Sequence, residues 1–282
     1  MAIITFKGNG GRETGNTSSA IAIATYMSIE HNMKILLVST GLNDVTLKES
    51  YWENNQKKSI LQNSGIQKGA NIQSGIEGLS RMISSSKIEA RIIKDYTKVV
   101  LTGRLDVLLG YNGDRTQYKE IQENYPQVIS VANQYYDMVI VDLDKRLTPK
   151  VQEQIIQTSD IIVITTCQKL NDMQVLSEQI SQNNFMSEAN TLIAIGRYDD
   201  YLKYNIKNVT RSIFRRRKNI NTIPYNSRYY EAMQEGTVID LFLKLPRTNN
   251  KKDYNYFFLQ EVQRLTEDIN NKWQEVRMKK GM

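Results

Sequence analysis

The chain has 282 residues, of which 40% are hydrophobic, and a formal net charge of +7. This length suffices for one sizeable α/β core. The sequence has no run of about 18 apolar residues and no signal-like start, so we expect a cytoplasmic protein without a membrane span. One cysteine and one histidine exclude an internal disulfide and the usual His/Cys metal sites. The positive charge favours acidic partners without choosing between nucleic acid and lipid.

The chain begins with a short apolar strand, a glycine-rich turn and an Ala/Ile-rich helix. This order directs backbone N–H groups and the positive end of the helix at one spot, which is how phosphates are held. The phosphate-loop pattern G-x-x-x-x-G-K-[ST] can be laid over residues 10–17, where Gly10, Gly15 and Thr17 match and Asn16 takes the lysine position. The sequence therefore predicts a backbone cradle and a hydroxyl for Mg²⁺ without the cation that reaches the β- and γ-phosphates.

Alternating apolar runs and amphipathic segments predict a mainly parallel, doubly wound α/β sheet with helices on both faces. The fully apolar runs are typical of strands that are buried on both faces. The seven predicted strands are residues 2–6, 34–39, 105–110, 138–143, 161–166, 191–196 and 220–223. The predicted helices are residues 16–30, 76–83, 88–96, 115–135, 171–182, 204–214, 227–234 and 254–279. We treat residues 1–282 as one domain with a variable segment at 41–95.

The apolar run MVIVDLD brings a carboxylate, Asp142, to the end of a predicted strand. The C-terminal end of a buried parallel strand lies at the ligand edge of the sheet, where Mg²⁺ or its water would lie beside a nucleotide on the first loop. Asp142 is therefore a candidate metal ligand together with Thr17. A structural cap after the strand is the alternative.

Two surface features bear on partners. Arg215, Arg216, Arg217 and Lys218 form a basic run that could lie against DNA or anionic lipid, or be a solvated loop. The C-terminal helix has one apolar face, which we expect to pack on the body of the protein rather than to lie on a membrane. That face consists of Phe258, Val262, Leu265, Ile269, Trp273 and Val276.

The order of these pieces resembles the MinD/ParA family of deviant P-loop ATPases. The resemblance rests on the glycine-rich start, on VIVDLD, on DIIVITTCQKLNDMQVL and on IPYNSRYYEAMQEGTVI, which is similar to the family's proline-containing adenine loop. It covers most of the chain outside residues 41–95. The segment LDVLLG and a first strand at residue 2 look most like the TadZ and CpaE branch of pilus-localisation proteins.

The resemblance implies a site for ATP and Mg²⁺. The nucleotide-binding set that it implies is Gly10, Gly11, Arg12, Glu13, Thr14, Gly15, Asn16, Thr17, Ser18, Arg197, Pro224 and Tyr225. The Mg²⁺ ligands that it implies are Thr17 and Asp142.

The chain departs from the family pattern at several of these positions. The family loop K-G-G-x-G-K-[ST] becomes GRETGNT over residues 11–17, so both lysines are absent, and the cross-dimer cation is lost unless Arg12 substitutes. The family's water-positioning aspartate after the second strand has only Ser39 and Thr40 in its place. The adenine-reading asparagine corresponds to the neighbourhood of Arg197. The resemblance therefore implies weakened ATP and Mg²⁺ binding, with hydrolysis weak or absent.

Three functions agree with this pattern. The first is a nucleotide-responsive homodimer that positions a membrane-associated machine, such as a pilus or secretion apparatus, from the cytoplasm or the membrane periphery through a protein partner. The second is a ParA-type plasmid or chromosome partition ATPase that binds DNA. The third is a scaffold that keeps the fold without binding nucleotide. The degenerate loop argues against the second.

Overall fold

The computed structural model describes residues 1–10, 13–52, 75–85, 89–182, 190–213, 220–245 and 253–280. Eight strands form one sheet, and helices cover both of its faces. The strands are β1 (Ala2–Gly8), β2 (Ile35–Ser39), β3 (Lys98–Leu101), β4 (Leu105–Leu108), β5 (Met138–Leu143), β6 (Ile161–Thr166), β7 (Thr191–Tyr198) and β8 (Ile220–Pro224). The helices are α1 (Asn16–Glu30), α2 (Thr46–Tyr51), α3 (Ile76–Ser85), α4 (Arg115–Ile121), α5 (Tyr125–Ala132), α6 (Pro149–Thr158), α7 (Leu170–Gln182), α8 (Ile206–Ser212), α9 (Ser227–Glu235), α10 (Val238–Lys244) and α11 (Tyr254–Lys280).

The strand order is β3-β4-β2-β5-β1-β6-β7-β8, and every neighbouring pair is parallel except β3 and β4. The predicted fold class, a mainly parallel α/β sheet, is confirmed. β1 lies between β5 and β6, with Phe6 opposite Asp142 and Gly8 opposite Thr165. The carboxyl ends of these three strands therefore meet at the loop that follows β1.

All seven predicted strands are present, together with an eighth that was not predicted. The additional strand, β3, is a four-residue antiparallel edge strand, and Val99 within it is exposed. A short edge strand lacks the continuous burial that produces an apolar run, so the sequence gives little sign of it.

The predicted helix over 115–135 is broken. It consists of α4, one 3₁₀ turn (Gln122–Asn124) and α5, with Pro126 in the first turn of α5. Proline has no N–H and clashes with the preceding turn, so it fits a helix start and not a helix interior. The helix predicted over 88–96 is a 3₁₀ segment, Ala90–Tyr96. Helices α2, α6 and α10 were not predicted.

The hydrophobic core lies on both faces of the sheet. On one face, α1 packs against β1 and β2, α11 packs against β8 and α1, and α1 is buried along nearly its whole length. On the other face, α5 and α6 pack against β2 and β5. As expected, α11 turns its apolar stripe to the body, where Phe258, Val262, Leu265 and Ile269 are fully buried. Within the described part of the chain, no helix combines the length and the hydrophobicity needed to cross a bilayer.

Candidate functional site

The glycine-rich loop depends on two glycines with left-handed backbone, Gly10 (φ +91°) and Gly15 (φ +75°). Gly15 is the N-cap of α1, and a Cβ built on it would lie 3.3 Å from the Cα of Gly196. A Cβ on Gly196 would in turn overlap the carbonyl oxygen of Thr14. The loop and the end of β7 are thus packed backbone to backbone, which fixes the loop above the N-terminus of α1.

Asn16, in the lysine position, ties the loop to three strands. Its Nδ2 donates to the carbonyl oxygen of Phe6 in β1 at 3.1 Å and to Oδ1 of Asp142 in β5 at 2.7 Å. Its Oδ1 accepts a bond of 2.8 Å from the hydroxyl of Thr165 in β6. The amide therefore has a structural place of its own, and its side chain points into the sheet edge instead of into the loop cradle.

Thr17 and Asp142, the predicted Mg²⁺ ligands, lie side by side. The Thr17 hydroxyl donates to Oδ2 of Asp142 at 2.9 Å. Asp142 is buried, and its burial raises its pKa to about 7, with the charges of Asp44 and Asp144 adding to the effect and the bonds from Thr17 and Asn16 opposing it. A buried carboxylate with a raised pKa favours a neighbouring cation, since a positive charge would restore the ionised form.

The two hydroxyls after β2, Ser39 and Thr40, have structural partners. The backbone N–H of Gly41 donates to the Ser39 hydroxyl, and the Thr40 hydroxyl bridges the backbone of Asp142 and Asp144. Two carboxylates reach the site from this side instead: Asp44, just before α2, and Glu49 within α2, neither of which was predicted.

The glycine-rich loop, Thr17, Asp142 and Asp44 line one cavity of about 670 Å³, a volume within the usual range for small-molecule sites. All the predicted site residues that the structure describes line it: Gly10, Glu13, Thr14, Gly15, Asn16, Thr17, Ser18, Asp142, Arg197, Pro224 and Tyr225. Gly11 and Arg12 lie outside the described residues, as does the basic run 215–218.

One wall of the cavity is aromatic and was not fully predicted. Tyr225, Tyr229 and Tyr230 line it together with Met233. The rings of Tyr225 and Tyr230 are exposed, with centroids 6.3 Å apart, whereas Tyr229 is buried and donates to the carbonyl oxygen of Ser18 at 2.7 Å. This wall offers a flat, half-apolar surface next to the polar loop, which suits a heterocyclic base.

The charged lining of the cavity is predominantly acidic. Among the described residues that line it, five are acidic: Glu13, Asp44, Glu49, Asp142 and Asp144. Two are basic: Lys145 and Arg197. A nucleotide fits the cradle and the aromatic wall, and Mg²⁺ fits the oxygen donors of Thr17 and Asp142. Few basic side chains among the described residues line the cavity to neutralise phosphates, however. The site therefore suits a nucleotide together with Mg²⁺ better than a nucleotide alone.

No family model matches the sequence, and no curated protein matches it. Solved structures do. A ParA family ATPase from Chlorobium tepidum superposes with a TM-score of 0.63 at 16% identity, covering 92% of this chain and 97% of its own. The fold is that of the MinD and ParA ATPases.

Two further structures support this assignment. MinD from Pyrococcus horikoshii, complexed with Mg-ADP, has a TM-score of 0.61 at 14% identity over 95% of each chain. A putative plasmid partition protein from Borrelia burgdorferi, bound to AMPPNP, has a TM-score of 0.57 at 15% identity over 99% of each chain. The MinD/ParA fold thus extends over nearly the whole chain. At these identities the likeness concerns the fold alone.

Proposed function

We propose that this chain binds ATP as its Mg²⁺ complex and acts as a nucleotide-responsive positioning protein. The observation that carries the proposal is the adjacency of Thr17 and Asp142, 2.9 Å apart, at the N-terminus of α1 beneath the glycine cradle. A hydroxyl and a carboxylate at a helix N-terminus form a set that can hold Mg²⁺ against phosphates. ATP and Mg²⁺, bound by the MinD/ParA fold with weakened affinity, are the proposed cofactors.

The acidic lining makes the metal essential to this proposal. A triphosphate carries several negative charges, and it would meet five carboxylates and two basic side chains among the described lining residues. Mg²⁺ held by Thr17 and Asp142 would offset this repulsion. The nucleotide should therefore bind as the metal complex and not as the free anion.

Hydrolysis is proposed to be weak or absent. Phosphoryl transfer relies on positioning and on cations that stabilise the developing charge, and the loop has the neutral Asn16 in the lysine position. Asn16 is also committed to Phe6, Asp142 and Thr165. Binding without rapid turnover agrees with a protein that signals a bound state.

The proposed cellular role is to position or assemble a membrane-associated machine, such as a pilus or secretion apparatus of the TadZ/CpaE type. The protein would act as a homodimer that contacts a protein partner, with DNA or acidic lipid as a further partner of the basic run 215–218. Partition on DNA by an active ATPase is disfavoured by the neutral residue at position 16. A nucleotide-free scaffold is the competing possibility, because MinD/ParA architecture does not by itself require an occupied site.

A melting experiment separates these possibilities. Mg-ATP should raise the melting temperature of the wild-type chain, whereas ATP with excess EDTA should leave it nearly unchanged. Asp142→Asn, which keeps the shape of the side chain, should lose the effect of Mg-ATP. An unchanged wild-type melting temperature at millimolar Mg-ATP would favour the nucleotide-free scaffold.

A further inference from the structure

Two residues on the rim of the cavity have unusual backbone. Glu13 (φ +61°) and Arg197 (φ +50°) are left-handed without being glycine, a property that only Asn43 shares among the described residues. A charged side chain with a Cβ occupies this region at an energetic cost, and such residues cluster at functional sites. Both lie on the packed loop–β7 junction, where Gly15 and Gly196 fix the backbone.

The two side chains form an ion pair across that junction. Nη1 of Arg197 lies 3.7 Å from a carboxylate oxygen of Glu13. The side chains are 46% and 71% exposed, so the pair is solvated and contributes little to stability. A ligand with a higher negative charge could therefore take the guanidinium from Glu13 without unfolding any part of the site.

Arg197 also stands close to the place where phosphates would lie. Its backbone nitrogen is 3.6 Å from the position of a Cβ on Gly15, the N-cap of α1. Among the described residues that line the cavity, the other cation is Lys145, which follows β5 on the opposite side of the loop. Arg197 is thus a cavity-lining cation whose backbone packs directly against the glycine cradle.

We propose that Arg197 supplies the phosphate-binding cation that position 16 lacks, and that Glu13 holds it while no anion is bound. The inference rests on the proposed function, because it assigns a residue to the phosphates of that same site. A guanidinium offers a planar fork of donors that grips phosphate in a bidentate manner. On binding, the guanidinium exchanges one carboxylate for phosphate oxygens, and Glu13 turns to solvent.

Glu13 is then an internal competitor for the cation. Its removal should strengthen phosphate binding, since the ligand no longer has to displace it. The removal of Arg197 should weaken binding, and after that the presence of Glu13 should matter much less. If Glu13 and Arg197 affected the cavity independently through their charges, the effects of removing them would add. If Glu13 competes for the Arg197 side chain, its removal has little effect once Arg197 is absent.

The test is calorimetric titration of the full chain with Mg-ATP and, separately, with inorganic tripolyphosphate in Mg²⁺. Glu13→Gln should bind both about three- to tenfold more tightly than wild type, and Arg197→Met about ten- to a hundredfold more weakly, the range of one charge-assisted contact. The double variant should match Arg197→Met. Methionine keeps an unbranched, flexible stem without the guanidinium and leaves a non-glycine residue at the left-handed position.

A matched control is the exposed pair of Arg81 and Glu77 on α3, at 2.6 Å. Arg81→Met and Glu77→Gln should leave both affinities unchanged, and ligand-free melting temperatures show whether each variant is folded. If wild type binds Mg-ATP and Arg197→Met binds it equally well, the inference is wrong while the proposed function stands. If Arg197→Met weakens ATP but not tripolyphosphate, the side chain contacts the base and the phosphate assignment is wrong. If neither wild type nor Glu13→Gln binds Mg-ATP, the proposed function fails and this inference fails with it.

Discussion

The side chain of Asn16 is bonded to three neighbouring strands. Its contacts with Phe6, Asp142 and Thr165 satisfy polar groups at the carboxyl ends of β1, β5 and β6. The loss of such a partner leaves a buried group unsatisfied, which costs about 1–3 kcal/mol. Asn16 therefore ties the loop to the sheet edge without a ligand.

The first prediction concerns the exchange of this amide for lysine. Asn16→Lys should tighten Mg-ATP binding by about ten- to a hundredfold, because it adds one charge-assisted phosphate contact. Phosphate release should stay near background, since the groups that position water are not restored. Titration calorimetry and a phosphate-release assay measure the two effects.

The control for this exchange is Asn16→Ala, which removes the amide without adding charge. It should lower the free energy of unfolding by about 1–3 kcal/mol and leave Mg-ATP affinity no tighter than in wild type. Robust Mg²⁺-dependent phosphate release by the wild-type chain would refute the account of weak hydrolysis.

The second prediction concerns pH and Asp142. Burial raises its pKa to about 7, so the folded state holds a proton that the unfolded state releases near pH 4. The resulting stabilisation is fully present below about pH 4 and is lost as the pH rises through 7. Between pH 5 and pH 8 it should amount to about 2–3 kcal/mol in the free energy of unfolding.

Denaturant titrations in the absence of Mg²⁺ measure this dependence. Asp142→Asn cannot titrate, so its unfolding free energy should fall by about 2–3 kcal/mol less than that of wild type between pH 5 and pH 8. Parallel pH profiles for the two proteins would show that Asp142 keeps an ordinary pKa.

At the scale of elements, the strands of the central sheet could be predicted from sequence because most of their residues are apolar and buried, although β4 carries Asp106 and β8 carries Asn221 and Thr222. β3 could not, since it is a short edge strand with partial burial. Helix α6 was missed because only Val151 and Ile155 of its ten residues are buried. The continuous helix predicted over 115–135 was wrong because of Pro126. Proline lacks the N–H that a helix interior needs, and a prediction from periodicity alone does not take this into account.

The site could be predicted where its residues adjoin a strand end. Asp142 was predicted in this way, because parallel strands bring their carboxyl ends to one edge, and Thr17 was predicted from the phosphate-loop pattern. Asp44 and Tyr230 were missed, since they reach the cavity through the packing of α2 against α9, which sequence spacing does not report. The available signal for Tyr230 was the segment IPYNSRYYEAMQEGTVI, which contains it and resembles the family's adenine loop.

The third prediction tests the junction between the loop and β7. Gly196→Ala should destabilise the chain by about 1–3 kcal/mol and weaken Mg-ATP binding, because the added methyl group overlaps the carbonyl oxygen of Thr14. Thermal melts and titration measure the two effects.

Gly103→Ala is the control for this prediction. Gly103 has left-handed backbone with no other atom within 4 Å of a built Cβ, so its substitution costs backbone strain alone. Mg-ATP binding should be unaffected in Gly103→Ala. Equal losses of Mg-ATP affinity in both variants would mean that the junction does not hold the loop.

At the scale of the whole molecule, α11 closes one face of the sheet and buries its apolar stripe there. The four fully buried residues of that stripe, Phe258, Val262, Leu265 and Ile269, are therefore not free to form an interface, and we expect a dimer contact at the loop edge. The fourth prediction is an ATP-promoted homodimer across this edge, in which Arg12 of each copy reaches the phosphates of the other. Sedimentation velocity should show the dimer population rise with Mg-ATP in wild type and not in Arg12→Ala. If the dimer population changes neither with Mg-ATP nor with Arg12→Ala, a dimer across the loop edge is excluded.

The central claim is that this MinD/ParA fold binds ATP through the pair of Thr17 and Asp142 and only as the metal complex. The most direct measurement is a calorimetric titration of wild type and Thr17→Val with ATP, each in Mg²⁺ and in excess EDTA. We expect saturable binding by wild type in Mg²⁺, none in EDTA, and affinity at least about tenfold weaker in Thr17→Val, which lacks only the hydroxyl. Equal affinity with and without Mg²⁺, or no binding by wild type in Mg²⁺, would contradict it.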